Sequence, residues 1–166
     1  MNVTYDDVVT AQKTQDDVIR KTSLTFSDTF TQLTGSTVYL KNEFEQKTGS
    51  FKLRGAYYKI KTLSEEERRN GVIAASAGNH GQGVAYASAM EKIKCTIVMP
   101  KNASPAKVAA TRGYGATVVL EGKNYDESWT KAQEIASTTA ATIIHVSLID
   151  TASSAQYVHF IRTGVN

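Results

Sequence analysis

The sequence predicts an α/β fold: an open, mostly parallel twisted sheet flanked by helices on both faces. Two observations carry that prediction. Four short apolar runs rich in β-branched residues, Val72–Ala75, Cys95–Met99, residues 116–120 and residues 142–146, each have the length and composition of a strand buried on both faces. Between them lie segments with helical signals, and the run centres at Ile73, Ile97, Val118 and Ile144 recur at the spacing of successive βαβ units. A ligand site is then expected in the loops at the carboxyl ends of the strands.

Residues 5–20 read as a surface helix and residues 37–40 as an additional strand. Over residues 51–63, Leu53, Tyr57 and Ile60 share one helical side, with Ser50 as the N-cap. Ser64-Glu65-Glu66-Glu67 has the capping-box pattern, so a short helix begins there. Residues 81–90, dominated by Gly, Ala, Val and Ser, suit a helix that lies close to a sheet. Ser104 followed by Pro105 is a helix start: the serine oxygen caps a free amide and the proline fills a first-turn position that needs no donor. Gly113 is the expected stop. Tyr125, Trp129, Ala132 and Ala136 form a stripe at helical spacing, and packing on the sheet suffices as a role for Trp129.

Composition narrows the function classes. The 166 residues allow one or two small domains, and 19 basic against 16 acidic side chains leave a net charge of +3. The lysines and arginines are scattered, which suggests no nucleic-acid or membrane-surface role. Cys95, the single cysteine, cannot form an internal disulfide. The N-terminus lacks a signal-peptide pattern, and no apolar run approaches the ~20 residues that cross a bilayer. A reduced, cytoplasmic protein is expected. Only two prolines occur, Pro100 and Pro105, and residues 147–166 read differently from what precedes them.

Two segments carry chemistry. In Thr48-Gly49-Ser50-Phe51-Lys52-Leu53-Arg54-Gly55-Ala56, Lys52 falls in a first helical turn, where the positive dipole end disfavours an ammonium relative to a neutral amine. A neutral lysine amine condenses with aldehydes, the chemistry used with pyridoxal phosphate, although taken alone a solvated lysine is the commoner case. The second segment, Ser76-Ala77-Gly78-Asn79-His80-Gly81-Gln82-Gly83, joins a strand to a helix, where backbone amides face an anion. Gly78, Gly81 and Gly83 are expected to let the main chain approach a ligand. The spacing is not that of a dinucleotide fingerprint. His80 has no second histidine or cysteine at metal-ligand spacing, so no metal site is expected.

These residues, with residues 41–56 as a whole, closely resemble the threonine and serine dehydratases, pyridoxal-phosphate enzymes of the fold type II group related to the tryptophan synthase β chain. The resemblance runs from about residue 4 to His145 and includes Val98-Met99-Pro100 and Lys107-Val108. It covers the first half of a family member. It implies pyridoxal 5'-phosphate as cofactor, with Lys52 forming the imine and removing the substrate Cα proton. Phe51 matches the aromatic residue beside the cofactor ring, and Asn79 the asparagine that hydrogen-bonds the ring 3'-oxygen. Ser76, Ala77, Gly78, Asn79 and His80 match the loop that receives the substrate carboxylate. The implied reaction is β-elimination from L-threonine or L-serine to a 2-oxo acid and ammonia. Ala77 stands where serine racemases carry a serine that works on the opposite cofactor face, and a methyl group transfers no proton. Elimination is therefore preferred over racemisation.

The resemblance also implies a division: residues 1–40 belong to the large domain, residues 41–146 form the small α/β domain, and residues 147–166 are a divergent tail. Ser23 replaces a usual proline. The eleven glycines include no adjacent pair, so the family's phosphate-binding glycine cluster is absent from this sequence. Two expectations follow. One is a truncated dehydratase with little or no activity alone, as a homo-oligomer or with a complementary C-terminal polypeptide. The other is a non-catalytic remnant or interaction domain.

Overall fold

In the computed structural model, residues 4–15 and 17–146 are described. The chain runs through α1 (Tyr5–Gln15), β1 (Leu24–Phe26), α2 (Asp28–Thr34), β2 (Tyr39–Lys41), a 3₁₀ turn (Glu43–Glu45), α3 (Lys52–Lys61) and α4 (Glu65–Asn70). It then alternates β3 (Val72–Ala75), α5 (Asn79–Met90), β4 (Cys95–Met99), α6 (Pro105–Gly113), β5 (Thr117–Leu120), α7 (Tyr125–Thr139) and β6 (Thr142–Ile143). The last four strands form one parallel sheet in the order β5-β4-β3-β6, with Ile73 opposite both Thr96 and Ile143. β1 and β2 form a separate antiparallel pair, Leu24 facing Lys41 and Phe26 facing Tyr39.

Alternate residues of β3 and β4 feed two cores. Val72, Ala74, Cys95, Ile97 and Met99 pack with Leu53, Tyr57, Ile60, Val84 and Val108 of the helices on one face. Ile73, Ala75 and Val98 pack with Ala132 and Trp129 of α7 on the other. The two central strands are thus buried on both faces, as their continuous apolar runs require. The expectation fails for the outer strands. β5 is exposed at Thr117 and Leu120 and half-buried between, because it is an edge strand paired only with β4; β6, the other edge, is half-buried.

Several boundaries differ from expectation for local reasons. α1 closes at Gln15, whose carbonyl then accepts from the amides of Val18 and Ile19 in a turn. The strand expected over 37–40 is Tyr39–Lys41, and its partner β1 with the following α2 has no counterpart in the sequence reading. The strand of 142–146 is regular only to Ile143, although the Ile144 amide still donates to the Ile73 carbonyl. Ser104 makes no capping bond, leaving Pro105 as the start signal of α6. Gly113 is the last helical residue, and the left-handed turn falls at Gly115 (φ 89°). The Ser64–Glu67 capping box is present in full. Among the described residues no helix is long and apolar enough to cross a membrane.

Candidate functional site

After β3 the chain steps outward through β4 and β5, then returns to place β6 on the other side of β3. The direction of winding reverses at β3, and the crevice at its carboxyl end is where such sheets bind ligands. Residues 76–80 occupy that point. The Ser76 amide donates to the Val98 carbonyl at 3.0 Å, anchoring the turn to β4. The Ser76 Oγ accepts from the Gly78 amide at 3.2 Å and retains its own proton to donate. No side chain caps α5, so its first-turn amides face outward, with Ala77 and Asn79 exposed beside them.

Lys52 is brought to this turn by α3, which packs on α5. A Cβ on Gly83 would stand 3.2 Å from the Lys52 carbonyl carbon and oxygen, so the missing side chain lets the Lys52 backbone lie directly on α5. A Cβ on Gly81 would stand 3.0 Å from Ile97 Cγ2 and 3.1 Å from the Ser76 carbonyl. Of the three glycines expected to open the main chain to a ligand, Gly81 and Gly83 instead serve helix packing, because their faces meet protein. Lys52 Nζ lies 5.0 Å from the centroid of the Phe51 ring, which is 41% exposed. The N-cap of α3 is Phe51, not the expected Ser50, and it makes no side-chain capping bond; Ser50 stands one residue earlier, where its Oγ accepts weakly from the Lys52 amide at 3.4 Å.

His80 is buried, and its Nε2 lies 2.9 Å from the Ile144 carbonyl. A carbonyl only accepts, so Nε2 carries the proton and donates. Burial depresses the imidazole pKa, helped by the charges of Lys52 and His145 and opposed by the Ile144 bond. The ring is accordingly neutral, with Nδ1 a buried lone pair that has no partner among the described residues. His80 therefore ties the turn to the end of β6.

The sequence matches the family described as pyridoxal-phosphate dependent enzyme over residues 16–158. The chain belongs to that family. It is 50% identical over 143 residues to an L-threonine ammonia-lyase of Thermotoga maritima, a match spanning 86% of this chain and 36% of the relative. A solved serine racemase from Dictyostelium discoideum superposes with a TM-score of 0.85 at 33% identity, covering 96% of this chain and 54% of that one. The processed form of threonine deaminase isoform 2 from Solanum lycopersicum gives 0.82 at 31% identity, covering 98% and 48%. The α/β architecture is thus that of fold type II pyridoxal-phosphate enzymes, and the chain spans about half the length of its solved relatives, or less of its curated ones.

Two features of this family member's site escaped the sequence reading. Arg54 Nε and Nη2 donate to Glu43 Oε2 and Oε1 at 2.9 and 2.6 Å, and the Thr22 hydroxyl donates to Oε1 at 2.7 Å. This clamp ties the first turn of α3 to the segment after β2; an arginine two residues from Lys52 is a signal only once its acidic partner is known. The other is Lys107, whose Nζ lies 3.4 Å from the position a Cβ would take on Gly78. Among the described residues no group of three His, Cys, Asp or Glu side chains could hold a metal ion.

Proposed function

We propose that this chain carries the lysine-bearing part of a lyase that converts L-threonine or L-serine to a 2-oxo acid and ammonia, the water lost in β-elimination being taken up again in hydrolysis. The observation that supports it most is the packing of the Lys52 backbone on α5, the helix whose uncapped start carries the Ser76–His80 turn. The surroundings fit pyridoxal phosphate: a lysine amine for its aldehyde, the exposed Phe51 ring for its pyridine, and the exposed Asn79 side chain for its ring oxygen. When bound, the cofactor supplies the electron sink for a substrate carbanion.

The chain's own residues then divide the work. The Ser76 hydroxyl and the uncapped first-turn amides of α5 hold the substrate carboxylate. Lys52 Nζ takes the Cα proton; loss of the β-hydroxyl as water leaves an enamine, whose hydrolysis gives the 2-oxo acid and ammonia. Ala77 offers no proton on the opposite face, which favours elimination. The likeness to a serine racemase supports a second reading, racemisation, in which D-serine forms.

We further propose the division into residues 1–40 of the large domain and the small domain of 41–146, within a cytoplasmic protein; residues 147–166, expected from the sequence to be a divergent tail, lie outside the described residues. Without an adjacent glycine pair in its sequence, the 166-residue chain turns over little substrate alone. Its partner is a second copy or a polypeptide supplying the remainder of the family fold. The test is 2-oxobutyrate formation from L-threonine with added pyridoxal phosphate. We expect little product from the chain alone, and product on adding the remaining part of a relative, abolished by Lys52→Ala. Full turnover by the chain alone would overturn the dependence on a partner. Turnover by the Lys52→Ala mixture would overturn the assignment of Lys52, and D-serine formed from L-serine would favour the racemase.

A further inference from the structure

We propose that Lys107 is the counter-charge for the substrate carboxylate at the 76–80 turn, a positioning and specificity-determining residue. The inference rests on the reading of that turn as the carboxylate site.

Lys107 is the third residue of α6, and its backbone is held in place. Val108 is buried in the core, and the fully buried Thr111 donates its hydroxyl to the Lys107 carbonyl at 2.8 Å. The side chain is exposed and reaches across to α5, where its Nζ lies 3.4 Å from the position of a Cβ on Gly78. Gly78 is the N-cap of α5. The ammonium therefore stands in the first turn of one helix and against the start of another, two places where helix dipoles already concentrate positive potential.

Among the described residues, no carboxylate pairs with it. An unpaired ammonium at two positive helix ends is unfavourable until an anion arrives. Gly78, against which Lys107 Nζ stands, immediately precedes the uncapped α5 amides, and its own amide donates to Ser76 Oγ, so an oxyanion bound at this turn would have donors from α5 and from Lys107. A carboxylate and a phosphate share that chemistry. We assign the carboxylate, because the turn is the one that faces the substrate in the proposed reaction.

The test uses the full chain, labelled with ¹⁵N and free of cofactor, titrated with L-threonine, sodium propionate and inorganic phosphate while the Gly78 and Asn79 amides are followed. Propionate and threonine should shift both amides in the wild type. Lys107→Gln should weaken binding about tenfold and flatten its salt dependence, and Lys107→Arg should restore both. Thermal midpoints of the variants report that the fold is unchanged, as expected for an exposed side chain. Equal affinity and salt dependence in Lys107→Gln, or no rescue by arginine, would overturn the role of Lys107. Tighter Lys107-dependent binding of phosphate than of propionate would overturn the carboxylate assignment. No shift with any anion in the wild type would overturn the reading of the turn itself, and this inference with it.

Discussion

Glu91 follows the end of α5 and gathers three donors: Tyr57 Oη at 2.7 Å, Lys61 Nζ at 3.0 Å and Arg68 Nη2 at 2.9 Å. Burial alone would raise its pKa, but the bonds from Arg68, Tyr57 and Lys61 outweigh it and hold the carboxyl at about 2, against an ordinary 4.5. Burial and the bond to Glu91 push the Tyr57 phenol up to about 12. The native pKa of Glu91 lies below the unfolded one, so its stabilisation is complete above pH 4.5 and is lost as pH falls toward 2. Urea unfolding from pH 2 to 7 should show Glu91→Gln less stable than wild type at neutral pH, with the gap closing across that acid window. A constant gap would contradict the role of the charge. Cys95 carries no comparable chemistry, since burial pushes its thiol up to about 12.

At the scale of elements, the position of Lys52 depends on how α3 begins. The Glu43–Arg54 pair, with side chains only 16% and 10% exposed, joins that beginning to the β1–β2 pair. Glu43→Gln leaves the guanidinium buried without its carboxylate, and removal of one partner from such a pair costs about 3 to 5 kcal/mol. We expect a loss near the lower end, about 3 kcal/mol, because Arg54 Nη2 keeps a long bond to the Arg20 carbonyl. Denaturant unfolding would measure it, and a change below about 0.5 kcal/mol would show that the pair contributes nothing net.

The same elements show what was readable in advance. β3 and β4 were legible because strands buried on both faces must be continuously apolar, as Val72–Ala75 and Cys95–Met99 are. β1 was not, since Leu24–Phe26 is three residues long and exists by pairing with β2, a contact that no local pattern announces. The flanks of α2 did carry signals: Ser27 caps its start and Gly35, at φ 68°, closes it. Of the site, Lys52 and the 76–80 turn were legible as motifs. Lys107 stood among the residues of the family resemblance but not as a residue of the site, because its approach to Gly78 depends on how α6 packs against α5.

At the scale of the molecule, apolar surface is concentrated outside the parallel sheet. Leu24, Phe26, Phe30, Leu33, Leu40 and Phe44 are all at least 42% exposed, on or beside the β1–β2 pair. A two-stranded sheet is marginal by itself, and an apolar patch of this kind calls for a cover. We expect concentration-dependent self-association in light scattering, suppressed when a polypeptide supplying the rest of the family fold is added. A monodisperse monomer at all concentrations would contradict it. We propose that Lys52, held on α5 beside the 76–80 turn, is the residue that engages pyridoxal phosphate. The most direct test of this claim is the visible absorbance of the purified chain with saturating pyridoxal phosphate, compared with Lys52→Ala: a band present in the wild type and absent from the variant is predicted, and equal spectra would contradict it.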